Sequence, residues 1–251
     1  MPPICFHLGI AEEAIERLRH PIINSQKGSY FLGSTTPDIR FFISATREET
    51  HFLALDAEEG ESGVRYLFEA YPELRNGTRL NDISKAFVLG YLSHLVTDEA
   101  WIYRIYRPFF GKTSPLAQNP VANLFDRLLQ FELDRRERIN SRSISLIRQE
   151  IVTTKFMEID VGFLEASDLN RWQEFVFVTT TRKPNWEDFR IFAEKYLIWM
   201  RQVPDSSIND FFSSFDQRLE EVFQMVPEDE IQAFREQAIA DSVRVAEEYL
   251  L

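Results

Sequence analysis

The stretch AFVLGYLSHLVTDEA, residues 86–100, decides how this chain folds. Apolar side chains occupy positions nearly all round a helical wheel, and a helix of that kind is buried at the centre of a domain. Asp82 or Ser84 is a suitable N-cap, so we predict that the helix begins there and continues to about Tyr106. The sequence therefore predicts a fold built around one buried central helix.

Helical patterns also lie on both sides of this segment. Apolar residues at helical spacing predict a helix over residues 8–20 and a short one over residues 61–72. Residues 22–58, which contain glycines, prolines and a Ser-Thr-Thr run, are predicted to be irregular. Residues 152–163 suggest either a loop or a short extended stretch. Further helices are predicted over residues 119–138, 143–153, 167–180, 186–202, 207–225 and 228–250.

Few segments have a strand pattern, so the expected fold class is all-α. We see no strong boundary and expect a single helical domain over residues 1–251. Within it, residues 1–110 carry the candidate site and residues 111–251 form a helical remainder.

Composition limits the classes of partner and location. With a formal net charge of -12, the surface repels polyanions, so broad nucleic-acid binding is not expected. Cys5 is the only cysteine and cannot form an intramolecular disulfide, which fits a reducing compartment. Glu12 and Glu13 interrupt the first apolar stretch, unlike a secretory signal, and no apolar run suits a transmembrane segment. We expect a cytoplasmic protein and leave its oligomeric state open.

His94 and Asp98 stand four residues apart on the central helix, so both side chains project from one face. A buried carboxylate must be paired, hydrogen-bonded or bound to a metal. Imidazole with carboxylate suits zinc, iron, manganese or nickel. A plain His–Asp hydrogen bond in the core is the alternative, and the pair alone does not decide between them.

Three more candidates lie upstream of this helix. Asp38 follows Pro37, which fixes the direction of the backbone before the carboxylate. His51 lies between Thr50 and an apolar pair, and His7 precedes the first predicted helix at an N-cap-like position. Each has an ordinary alternative: a turn aspartate, a half-buried histidine and a partly exposed residue near a helix cap.

Together these segments resemble the zinc-dependent phospholipase C family, which is related to the P1/S1-type nucleases. The resemblance covers about the first 100 residues and is carried by Phe6-His7…Ile10-Ala11, Phe31-Leu32-Gly33-Ser34…Pro37-Asp38-Ile39-Arg40, Thr50-His51-Phe52 and Leu89-Gly90-Tyr91-Leu92-Ser93-His94-Leu95-Val96-Thr97-Asp98. It implies an all-helical fold and a divalent metal centre, with zinc the expected ion and iron, manganese or nickel the alternatives. It implies that one metal is bound by Asp38, His51, His94 and Asp98. His7 would bind a second metal, bridged by Asp98.

The chain departs from that family in its supply of further ligands. No histidine follows position 94, and Met1-Pro2-Pro3 offers no clear counterpart to the processed N-terminal ligand of secreted members. Asp126 and Gln130 have the spacing of the family's later His–Glu pair, so Asp126 is a candidate ligand, with a solvated helix position as the alternative. Glu132 and Asp134 have arginines nearby and are expected to form a surface ion-pair cluster.

Hydrolysis of a phosphoester is the activity that the resemblance implies, on a small-molecule or lipid-like substrate. Two adjacent metals can clamp both oxygens of a phosphoryl displacement. Asp38 is then a candidate catalytic base as well as a ligand, and Arg40 is a candidate phosphate contact. Arg47 is a second possible phosphate contact, but a surface charge is the favoured expectation for it. A metal-dependent lyase, cyclase or oxygenase acting on a biosynthetic intermediate is the alternative, and a structural metal remnant in a binding module is a third.

Overall fold

Helices and short turns make up the part of the chain that the structure, a computed structural model, describes: residues 3–58, 60–75, 77–117, 119, 121–139, 141–197 and 205–251. These residues contain no strand, so the predicted all-α class is confirmed. The α-helices are α1 (Ile4–Leu18), α2 (Pro21–Ser25), α3 (Lys27–Gly33), α4 (Arg40–Ile43), α5 (Arg47–His51), α6 (Gly63–Ala70), α7 (Asp82–Trp101), α8 (Ala122–Ile139), α9 (Ser141–Thr153), α10 (Ala166–Thr181), α11 (Trp186–Phe192), α12 (Asp205–Ser213), α13 (Phe215–Met225) and α14 (Glu228–Leu250). Short 3-10 helices span Thr36–Ile39, Pro72–Leu74 and Phe156–Glu158, and π-helices span Ile102–Phe110 and Ala193–Leu197.

Helix α7 is the central helix that its composition predicts. Of its 20 residues, 17 are buried, and it packs against α1, α3, α6 and α14. The N-cap is Asn81, whose side chain accepts a hydrogen bond from the Ser84 N–H at 2.8 Å. The predicted caps, Asp82 and Ser84, were therefore wrong by one and three residues. The chain remains helical beyond Tyr106 because a π-helix continues α7.

Two clusters of buried side chains form the core. The first surrounds most of α7 and includes residues of α1, α3, α9, α10 and the end of α14. The second surrounds the C-terminal end of α7 and includes residues of α8, α11, α12, α13 and the first part of α14. Because α1, α7 and α14 contribute to both clusters, the helices form one domain. Burying each large apolar side chain contributes about 1.5–3 kcal/mol to its stability.

The crossing of α3 over α7 depends on two glycines. A Cβ atom on Gly33 would lie 2.1 Å from the carbonyl oxygen of Phe87, and one on Gly90 would lie 1.9 Å from that of Tyr30. No side chain fits at either position, so these glycines let the two backbones touch. The contact brings the C-terminal end of α3 directly against the middle of α7.

Several predicted boundaries were wrong for local reasons. Helix α1 begins at Ile4 rather than residue 8, because the Asp134 carboxylate of α8 accepts the N–H of Cys5 at 2.8 Å and so supplies a distant cap. Residues 22–58 contain four short α-helices and a 3-10 helix, all too short to have an amphipathic period. The predicted helix 207–225 is divided at Ser214.

The remaining boundaries are closer to the prediction. The segment 152–163, for which the sequence suggests either a loop or an extended stretch, contains the end of α9 and a short 3-10 helix. The predicted helix 186–202 is α11 followed by a π-helix, and its last residues, 198–202, lie outside the described residues. No helix in the described part of the chain is both long and apolar enough to cross a membrane.

Candidate metal centre

Five side chains from four separate elements meet at one point beside α7. Helix α1 carries His7, the 3-10 helix carries Asp38, and the last residue of α5 is His51. Helix α7 carries His94 and Asp98 one turn apart. The described residues form two groups of potential metal donors: His7, His94 and Asp98, and Asp38, His51 and His94.

Burial distinguishes Asp38 from the other four side chains of this cluster. The side chains of His7, His51, His94 and Asp98 are at most 2% exposed, whereas that of Asp38 is 16% exposed. Ligands would therefore reach the cluster from the side of Asp38. His7 itself lies inside α1, so its expected position before the helix was wrong, for the reason given above for the start of α1.

The distances between donor atoms suit a metal ion. His51 Nε2 lies 3.3 Å from His94 Nε2, 3.3 Å from Asp98 Oδ2 and 3.5 Å from Asp38 Oδ1. Two donors bound to one tetrahedral zinc at about 2.0–2.1 Å lie about 3.3–3.4 Å apart. The distances between these donor atoms therefore match the edge lengths of a tetrahedral zinc site.

A backbone hydrogen bond fixes which nitrogen of His94 faces the cluster. His94 Nδ1 lies 2.8 Å from the carbonyl oxygen of Ser34, which can only accept, so Nδ1 carries the hydrogen. In the neutral ring Nε2 then offers a lone pair to the cluster. Ser34 directly follows α3, and His94 lies one turn beyond Gly90, so the glycine crossing creates this contact.

His51 is oriented by a hydroxyl group. Thr50 Oγ1 lies 3.0 Å from His51 Nδ1, which leaves Nε2 pointing towards His94 and the carboxylates. Phe52, the next residue, has φ 57° and ends α5 in the left-handed region. Its ring packs against Tyr71, Tyr91 and Phe163, and these contacts hold an uncommon backbone conformation in place.

The electrostatic environment keeps two imidazoles neutral. Burial, together with nearby His7, lowers the pKa of His94 to about 3. Burial and the guanidinium of Arg47 lower the pKa of His51. Metal binding requires the neutral imidazole, so both rings are in the form that a metal needs at neutral pH.

The two carboxyl groups are ionised. Burial raises the pKa of Asp98, but the neighbouring histidines and Arg47 outweigh it and hold the pKa well below its usual range. Burial also raises the pKa of Asp38, but the contact of its carboxylate with His51 outweighs burial, and the pKa lies below its usual range. Ionised carboxylates are the form that can bind a metal.

Two atoms of the cluster lack a hydrogen-bond partner. His7 Nε2 and Asp98 Oδ1 are buried, 3.5 Å apart, and neither makes a hydrogen bond. The His7 ring stacks on that of His94, with centroids 3.9 Å apart, so it is held in place by packing. Unsatisfied buried polar atoms cost about 1–3 kcal/mol each, and a metal bound by both would remove that cost.

Arg47 belongs to this centre, contrary to the expectation of a surface charge. It is 8% exposed, and its Nη2 lies 3.1 Å from Asp98 Oδ2. Its Nε donates to the Leu53 carbonyl at 3.1 Å. The sequence signal was its spacing: Arg47 and His51 are four residues apart and share one face of α5.

Of the two remaining predicted site residues, Arg40 lies near the cluster and Asp126 does not. Arg40 is half-buried, and burial lowers its pKa while Asp38 raises it, so the two side chains are neighbours. Its role as a substrate contact stays a prediction. Asp126 is not brought to the cluster: its oxygens accept from Trp101 Nε1 at 3.1 Å and Gln130 Nε2 at 2.8 Å. It is also not a solvated residue, since it is 3% exposed.

The carboxylates of Glu132 and Asp134 are ion-paired as expected, but they are not on the surface. Glu132 is 4% exposed and bonds to Arg135 and Arg136, and Asp134 is 3% exposed and bonds to Arg138. The expectation of a surface cluster was wrong because Asp134 also binds the N-terminal turn of α1, which covers it.

No protein-family model, curated protein or solved structure matches this chain.

Proposed function

We propose that this protein is a divalent-metal-dependent hydrolase of a phosphoester, with a mono- or dinuclear centre. The observation that carries the proposal is the cluster of five His and Asp side chains, four of them buried, in which His7 Nε2 and Asp98 Oδ1 face each other at 3.5 Å without a hydrogen bond. Such a cluster costs stability in the absence of an ion, which supports a binding role rather than a purely structural one. The sequence resemblance to zinc-dependent phospholipases supports the reaction class.

Four residues are proposed as metal ligands only, and Asp38 is proposed as both a ligand and a proton acceptor. His51, His94 and Asp98 would hold a first ion together with Asp38, and His7 would bind a second beside Asp98. When bound, the metal lowers the pKa of a coordinated water and polarises the phosphoryl oxygen. Zinc fits the mixed nitrogen and oxygen donors, and iron, manganese and nickel also accept them.

Asp38 is the residue best placed to receive a proton. It is ionised, and it is the most exposed of the five side chains, so a substrate entering from that side meets it first. A carboxylate within reach of the attacking water orients it and accepts its proton. The other four side chains are too enclosed for this task.

The test combines elemental analysis with a phosphoesterase assay. We expect at least one divalent metal per chain and hydrolysis of p-nitrophenyl phosphate or bis-p-nitrophenyl phosphate that chelation abolishes and added zinc restores. His94→Gln should remove both metal and hydrolysis. The matched control is His20→Gln, which changes a histidine outside the cluster and should change neither. Turnover that survives complete metal removal would contradict the proposal.

A second candidate rests on the donor count. Each of the two groups contains two imidazoles and one carboxylate, the set used by non-haem iron oxygenases. A metal-dependent oxygenase, lyase or cyclase acting on a biosynthetic intermediate is therefore the alternative. Bound iron without any phosphate release would favour it over the hydrolase.

A further inference from the structure

Arg47 has a donor that its structural contacts do not use. Nε donates to the Leu53 carbonyl, and Nη2 donates to Asp98 Oδ2. Nη1 is buried and has no hydrogen-bond partner. Nη1 is bonded to the same carbon as Nη2, so it belongs to a guanidinium that already contacts the Asp98 carboxylate of the cluster.

The geometry of this pair is not that of an ordinary buried salt bridge. Arginine–carboxylate pairs are frequently bidentate, with two parallel bonds to both oxygens. Here a single nitrogen contacts a single oxygen, and Asp98 Oδ1 is turned to His7 instead. One guanidinium donor and one carboxylate oxygen therefore remain for other ligands.

Charge indicates the kind of ligand. The formal charges beside the cluster are two carboxylates, Asp38 and Asp98, and two guanidinium groups, Arg47 at Asp98 and Arg40 near Asp38. These four charges cancel, so one divalent ion makes the centre positive. A loaded centre therefore attracts an anion, although the chain as a whole carries a formal net charge of -12.

We propose that Arg47 Nη1 binds an oxygen of an anionic substrate at the metal centre, and that this anion is a tetrahedral oxyanion such as a phosphoryl group. The inference rests on the metal centre of the proposed function. It makes Arg47 a substrate-binding residue as well as the partner of Asp98.

The test measures binding of inorganic phosphate to the metal-loaded, full-length protein by titration calorimetry. Arg47→Lys keeps the positive charge and can still pair with Asp98, but a single nitrogen replaces the three of the guanidinium, so no second nitrogen remains for the anion. We expect phosphate to bind roughly 10- to 100-fold more weakly, the loss of one charge-assisted hydrogen bond, while the metal content per chain stays the same. The matched control is Arg65→Lys, whose side chain pairs with Glu69 on the surface and should leave phosphate affinity unchanged.

Unchanged phosphate affinity in metal-loaded Arg47→Lys would overturn the inference, as would a wild-type protein that is loaded with metal and does not bind phosphate. If Arg47→Lys loses its metal, the inference is tested on the wild-type protein instead. Crystals of the metal-loaded wild type soaked in tungstate should then place an oxyanion oxygen about 2.9 Å from Arg47 Nη1. An oxyanion bound elsewhere would overturn the inference.

This design separates the inference from the proposed function. Phosphate binding that depends on Arg47, without hydrolysis of any phosphoester, would support the anion site and reject the hydrolase. Chelator-sensitive hydrolysis that Arg47→Lys leaves unchanged, with full metal content, would support the hydrolase and reject the role of Arg47.

Discussion

Helix α8 and the His–Asp cluster beside α7 both bury carboxylates, but the hydrogen bonds to these carboxylates differ. On α8 every oxygen of the three buried acids has a donor. Asp126 accepts from Trp101 and Gln130, Glu132 from two arginines, and Asp134 from Arg138 and the Cys5 N–H. In the cluster, Asp98 Oδ1 and His7 Nε2 lie 3.5 Å apart, and neither has a hydrogen-bond partner.

This difference separates a structural role from a binding role. A fully satisfied acid network stabilises a fold and has no capacity for a ligand, whereas an incompletely satisfied one retains it. Both acid sets have histidine or arginine neighbours and both are buried, so burial alone does not identify a site. The cluster differs from α8 in combining unbonded polar atoms with several potential metal donors.

The largest effect should follow from changing the cluster carboxylate. We expect Asp98→Asn to reduce the bound metal to near zero, because Asp98 contacts His7, His51 and His94 and belongs to the group of His7 and His94. Elemental analysis of the purified variant measures this directly. Asp126→Asn is the control from α8 and should retain the full metal content. Equal metal loss in both variants would remove the distinction between the two regions.

The complementary experiment removes a cation from α8 and tests stability rather than metal binding. Arg138→Met leaves Asp134 buried without its ion pair, and breaking a buried pair in this way costs about 3–5 kcal/mol. Denaturant unfolding should therefore show that loss in the free energy of unfolding, while metal content stays unchanged. A stable Arg138→Met variant that lost its metal would mean that α8 supports the metal centre rather than the fold.

The sequence predicted the cluster better than the α8 network. The period of α7 places His94 and Asp98 on one face, and the resemblance supplied His7, Asp38 and His51. Arg47 was misjudged because α5 has five residues, too few for a burial pattern. Its burial depends on contacts with Leu53 and Asp98.

The α8 acids were misjudged for a related reason. The spacing of Asp126 and Gln130 matches a ligand pair, but the sequence around Asp126 does not indicate that its side chain faces Trp101. The first turn of α1 covers Asp134 through Cys5, a residue 129 positions away in the sequence. Periodicity reports which face of a helix is apolar, and it does not report which helix packs against it.

Glu99 provides a third kind of acid, half-buried and held by hydrogen bonds rather than by an ion pair within the described part of the chain. Its carboxylate accepts from the Gly63 N–H at 2.7 Å and lies 3.4 Å from Ser62 Oγ, and burial raises its pKa to about 7. The folded protein therefore binds this proton more tightly than the unfolded chain. Stability should fall as pH rises from about 4.5 to 7.

Glu99→Gln should remove that pH dependence. Above pH 7 the variant should be more stable than the wild type by on the order of 3 kcal/mol, since the amide oxygen can still accept from Gly63. Unfolding of the metal-free proteins between pH 5 and 8 measures the difference. Glu69→Gln, on the surface of α6, should have no such effect. Parallel pH profiles for wild type and Glu99→Gln would contradict the assignment of the proton.

The smallest effect should come from the hydroxyl that orients His51. Thr50→Val keeps the shape of a buried side chain but removes the oxygen that lies 3.0 Å from His51 Nδ1. Partners of this kind typically contribute 10- to 100-fold to metal affinity, and a neutral hydroxyl should lie near the lower limit of about 10-fold. Competition with a chelator of known affinity measures the change. Thr153→Val is the matched control, because that exposed hydroxyl bonds only to carbonyls of its own helix. If both valine variants bind metal as tightly as the wild type, then His51 is held by packing alone, and the unbonded atoms of His7 and Asp98 remain the feature that distinguishes this region from α8.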